Sequence, residues 1–147
     1  MSLSKQLRQE KLAAFKDKDI IKNNLLSLVL AALTLKEKEE GRQLTKQEEF
    51  AILQKELKQT KESLSLTPVE RTDLIAQANR KIEILNSYLP AQLNPEELLA
   101  AYQKYIQESG VEPLKKNRGI ITKALLELYS GQTDGKSVSA LLNEVLQ

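Results

Sequence analysis

Tyr88-Leu-Pro-Ala-Gln-Leu-Asn-Pro-Glu-Glu97 gathers two of the chain's four prolines into ten residues. Pro90 has no amide hydrogen and pushes Leu89 away from helical angles, so a helix arriving from the N-terminal side must stop there. Asn94 offers an oxygen to the free amides of a new helix. Pro95 is preset for its first position, and Glu96 and Glu97 suit the positive end of its dipole. The stretch reads as a boundary between a domain at 1–89 and a domain at 90–147.

Four helical patterns precede the boundary. Leu3, Leu7, Leu12, Ala14 and Phe15 give the first an irregular apolar face that ends near the charged run Lys16–Asp19. In the second, Ile21, Leu25, Leu28, Ala32 and Leu35 follow the three-four spacing of one helix face. Leu26, Val29, Leu30 and Leu33 make it apolar nearly all round, which assigns it to the centre of a bundle. Gly41 suits its C-terminus. Thr45-Lys-Gln-Glu48 then matches a capping box and opens a third helix with Phe50, Leu53, Leu57 and Leu64 inward. Thr67-Pro68 breaks it. From about Val69 a fourth helix carries Ile75, Ala78, Ile82, Leu85 and Leu89.

Three shorter patterns follow the boundary. Leu98, Leu99, Tyr102 and Ile106 line a fifth helix that Gly110 ends. Leu114, Ile121, Leu125 and Leu128 line a sixth, stopped near Gly131. Thr133 or Asp134 caps a seventh with Val138, Leu141, Leu142, Val145 and Leu146 inside. The expected fold is all-α: an N-terminal four-helix unit followed by a C-terminal three-helix unit.

Composition narrows the chemistry. The 147 residues are 41% hydrophobic and 29% charged, enough for one ordinary domain or two small ones. No cysteine and no histidine occur, which excludes thiolate catalysis, a disulfide frame, imidazole acid-base chemistry and Cys/His zinc sites. The most apolar run, Leu25–Leu33, is shorter than the roughly 20 residues that cross a bilayer. The N-terminal residues carry charges where a secretory signal needs an apolar core. A cytoplasmic protein with no membrane association is expected.

Several segments resemble a known family: EEGRQLTKQEEFAILQKELKQTKES at 39–63, ERTDL at 70–74, EILNSYLPAQL at 83–93 and SGQTDGKSVSALLNEVL at 130–146 are similar to the GatB/YqeY family in its free-standing YqeY-like form. Its motif positions here are Tyr88, Leu89, Pro90, Gly119, Gly131, Asp134 and Gly135. The resemblance implies a two-part helical fold. It also implies a C-terminal unit similar to the tail of the B subunit of glutamine-dependent aminoacyl-tRNA amidotransferase, a carbon-nitrogen ligase whose tail helps engage tRNA. The chain departs from the family pattern at Gln132, where a basic residue is frequent, and at Ser27, a position often held by arginine.

On that reading the candidate nucleic-acid-binding residues are Lys115, Lys116, Arg118 and Lys123 on the sixth helix and Lys136 at the start of the seventh, each able to meet a phosphate. The charge balance competes with it, because residues 90–147 hold six basic and seven acidic side chains, a net charge of −1, against +3 for residues 1–89. Tyr102 and Tyr105 could stack on bases, but tyrosines at this spacing more often close a small core. Gly131–Ser137 is too short for a phosphate-binding P-loop and reads as a turn between helices. The pairs Glu48-Glu49 and Glu96-Glu97 lie in first helical turns, adjacent residues pointing about 100° apart. No catalytic residue, metal site or cofactor is expected. The leading expectation is a non-catalytic binding module associated with tRNA or with amidotransferase subunits. The alternative is a protein-interaction adaptor without a nucleic-acid role.

Overall fold

The computed structural model describes residues 2–146, and every regular element among them is helical. In chain order these are α1 (Leu3–Lys16), α2 (Ile20–Glu40), α3 (Lys46–Ser65), α4 (Thr72–Tyr88), α5 (Pro95–Ser109), a 3-10 turn (Lys115–Asn117), α6 (Arg118–Leu128) and α7 (Gly135–Val145). The chain divides into two compact units, Met1–Leu89 and Pro90–Gln147. Helix α4 ends at Tyr88, two residues before Pro90, and Leu89 between them is extended, with φ −108° and ψ 149°.

In the first unit α2 packs against α1, α3 and α4. Its buried face is Leu25, Leu26, Val29 and Leu33, joined in one core by Leu7, Leu53, Leu57, Ile84, Leu85 and Leu89. Each such side chain contributes on the order of 2 kcal/mol by leaving water. Local signals set the helix ends. The Asp19 carboxylate accepts from the Lys22 amide at 3.2 Å, and Gly41 ends α2 with φ +68°, in the left-handed region. Thr45 and Glu48 form the full capping box of α3.

Two helices bury faces other than the expected ones. Leu28 and Leu35 of α2 are 54% and 59% exposed. The covered stripe is centred on Leu26, Val29 and Leu33, because a helix that is apolar nearly all round can bury only the side its neighbours reach. On α1, Leu12 and Phe15 are likewise exposed while Leu7 and Ala14 are buried. The fourth helix begins at Thr72 rather than near Val69: the Arg71 amide donates to the Pro68 carbonyl at 3.0 Å, closing a turn that keeps Val69 exposed.

The second unit has its own core of Leu98, Tyr102, Ile121, Leu125, Val138 and Leu142, with Leu146 beside them. Asn94 and Glu97 form a capping box ahead of Pro95, and Gly110 ends α5 at φ +73°. Asp134, not Thr133, caps α7, its carboxylate accepting from the Ser137 amide at 2.7 Å. Leu114 precedes the 3-10 turn instead of lining α6, and Leu128 is exposed.

Candidate functional site

The non-helical stretch between α4 and α5 must still satisfy its backbone polar groups. Within the second unit it does so against the turn that precedes α7. The Leu93 amide donates to the Gln132 carbonyl at 2.8 Å. The Gln92 side-chain amide donates to the Pro90 carbonyl at 2.9 Å and also to the Gly131 carbonyl. Gly131 stands at φ +77°, in the left-handed region. A side chain there would be strained. The two sequence segments that carried the family resemblance, 39 residues apart at Gln92 and Gly131, are therefore hydrogen-bonded to each other. Periodicity gave no sign of this pairing. The one available clue was the motif glutamine itself.

Other motif positions have plainer roles. The Tyr88 hydroxyl donates to the Glu10 carboxylate, joining α4 to α1. Burial, and after it the hydrogen bond to Glu10 and that carboxylate's charge, push the Tyr88 phenol well above its ordinary range. Leu89 belongs to the core of the first unit. Gly119 and Gly135 face open space where a Cβ would stand, so nothing steric requires glycine at either position.

The five candidate basic residues are placed unevenly. Lys115 and Lys116 lie on the 3-10 turn rather than on α6, both exposed, and Lys116 makes a long 3.9 Å ion pair with Glu112. Arg118, the first residue of α6, reaches across to α7. One of its guanidinium nitrogens donates to Asn143 Oδ1 at 2.9 Å, and the other to Ser139 Oγ at 2.6 Å and the Ser139 carbonyl at 3.2 Å. That fork clamps α6 to α7. Neither Ser139 nor Asn143 carries a signal in the sequence, because the partnership exists only in three dimensions.

Lys123 is exposed and sits about 200° around α6 from the buried Ile121 and Leu125, away from the core. Lys136 precedes Ser139 by three residues and Asn143 by seven. It therefore lies about 5–10 Å along the α7 axis from the residues that hold Arg118. Lys115, Lys123 and Lys136 form no ion pair among the described residues. Three of the candidate lysines are thus unpaired and exposed, and the fourth, Lys116, holds only a long pair.

Several other polar groups have structural partners. The Glu48 carboxyl is held down at about 2, chiefly by the Arg42 guanidinium at 2.7 Å and then by the Thr45 amide. Glu49 accepts from the Leu3 amide at 3.0 Å. Glu97 closes the cap of α5. Tyr102 is buried in the core and burial raises its phenol, as a core-closing tyrosine should behave. Among the described residues no group of three His, Cys, Asp or Glu side chains could hold a metal ion. No described helix is long and apolar enough to cross a membrane. A largely apolar depression of about 470 Å³ lies between the start of α5 and α7, where Leu93, Leu98, Leu99 and Leu141 meet Glu96 and Glu144.

No curated protein matches the chain. A family model described as Yqey-like protein matches residues 4–146, a span that takes in both units and the hydrogen-bonded pair of motif segments. With nearly its whole length matched, the chain belongs to the YqeY-like family.

Proposed function

We propose that this protein is a non-catalytic, cytoplasmic binding module related to tRNA-dependent amidotransferase, built from a four-helix unit and a three-helix unit, and that its C-terminal unit engages tRNA or an amidotransferase assembly. The observation that carries this reading is the match to the YqeY-like family over residues 4–146. The exposed lysines 115, 116, 123 and 136 support it, because the attraction between cations and a phosphate backbone is independent of sequence and needs no deep pocket. The Arg118 clamp holds α6 against α7 beside those lysines, and its partners are neutral, so the guanidinium keeps its charge for a phosphate.

Titration of the intact chain with bulk tRNA tests it. Four phosphate contacts give a log-log salt slope of about −3, so raising salt from about 50 to about 200 mM weakens binding roughly sixty-fold. The double reversal Lys115→Glu, Lys116→Glu reduces the slope to about −1.5. Binding that ignores salt, or a double reversal that leaves the slope unchanged, refutes the lysine surface. The second reading, an adaptor for a protein partner, draws on the apolar depression between α5 and α7. It gains ground if no tRNA binding is measurable at the lower salt.

A further inference from the structure

Helix α2 carries a second apolar stripe that the other helices of its unit leave open. Leu28, Ala31, Ala32 and Leu35 are all exposed, the two leucines by more than half. Their spacing is three, four and seven, so they form one straight seam in the middle of a 21-residue helix, the pattern of a helix-helix contact rather than of scattered surface residues. Beside the seam a groove of about 320 Å³ runs between α2 and α3, with Ile52 on its far wall.

The order of residues along the seam identifies the occupant. Reversing the helix direction about the midpoint between Ala31 and Ala32 exchanges Leu28 with Leu35 and Ala31 with Ala32, so the seam is its own mirror under a two-fold axis. The flanking polar residues obey the same exchange without conflict. Ser27 trades with Lys36 and Asn24 with Glu39, so no like charges meet. Lys36 is already paired with Glu40 at 3.0 Å. The groove is edged by both signs of charge, Lys36 and Lys55 against Glu39 and Glu56, which suits a surface that faces a copy of itself. Alanines at the crossing point let two backbones approach closely, and each leucine then has a leucine opposite and the groove beside it.

We infer that the α2 seam is a homodimer interface in which two copies of this chain pair α2 against α2 antiparallel, crossing at Ala31 and Ala32, with Leu28 of each against Leu35 of the other. Sedimentation equilibrium of the full chain from about 1 to about 500 µM tests it, since association is governed by mass action. The expected result is a rise from the 16.6 kDa monomer to twice that mass. Leu28→Lys alone and Leu35→Glu alone each weaken the dimer at least tenfold. Both positions are exposed, so helical circular dichroism stays unchanged and loss of the dimer cannot be blamed on unfolding. Leu28→Lys and Leu35→Glu combined in one chain set opposite charges against each other twice per dimer and restore association at least tenfold over either single variant. A mass that stays monomeric across the range overturns the interface. So does a dimer indifferent to both single substitutions, and a combination no better than the singles overturns the antiparallel register.

Discussion

Lys18 holds φ at +59°, in the left-handed region, where α1 gives way to α2. Its amide donates to the Phe15 carbonyl at 3.2 Å and the Asp19 amide reaches back to the Ala14 carbonyl at 2.9 Å, the paired bonds by which a helix is closed through a left-handed residue. Glycine usually fills that position because a Cβ costs about 1 kcal/mol there. Lys18→Gly relieves this strain but gives back part of the gain to the unfolded chain's greater freedom. The variant is expected to be more stable by about 0.5 kcal/mol, with a melting temperature about 2 °C higher by calorimetry. An unchanged or lower midpoint means the lysine side chain contributes something the backbone geometry does not show. Arg118 teaches the complementary lesson at the same scale. As a letter in a basic cluster it is only a candidate phosphate ligand, whereas in space it also ties α6 to α7 through Ser139 and Asn143.

At the level of elements, ends were far more legible than faces. The stop before Pro90, the Asn94 and Thr45 caps and the glycines closing α2 and α5 all follow from chemistry confined to a few neighbouring residues, and they are found where that chemistry places them. Which side of an apolar helix is covered depends on the positions of other helices, so periodicity could not distinguish the buried Leu26–Val29–Leu33 stripe from the open Leu28–Leu35 seam. The hydrogen bonds from Gln92 to Gly131 and from Leu93 to Gln132 were hidden for the same reason. The capping box of α3 also makes the acid limb of stability predictable. The folded Glu48 carboxyl titrates at about 2 against an ordinary 4.5, so its contribution is fully present above about pH 4.5 and is lost as pH falls through about 2. Glu48→Gln removes that dependence. Between pH 5 and about pH 2.5 the wild-type melting temperature should drop further than the variant's, and parallel drops would show that the Arg42–Glu48 pair does not act on folding.

For the molecule as a whole, the division of the apolar side chains sets the expectation. The fully covered residues fall into two groups, one around Leu26, Leu33, Leu53 and Leu85 and one around Ile121, Leu125, Val138 and Leu142. Each group is enclosed by helices of its own unit. A core closed by its own helices should hold without the rest of the chain, although a unit of about 60 residues buries only about 60% of its unfolded surface and is the weaker of the two. A chain ended at Leu89 is therefore expected to unfold cooperatively in urea, with a slope of about 1 kcal/mol per molar. Within that chain Leu33→Ala should cost about 2–5 kcal/mol, because Leu33 is 0% exposed and its removal leaves a cavity among side chains that cannot all move in. The same substitution made in the full-length protein should cost as much. If the shortened chain melts without a transition, or if the cost of Leu33→Ala differs by more than about 1 kcal/mol between the two contexts, the N-terminal core depends on residues beyond position 89, and α2 is not held by α1, α3 and α4 alone.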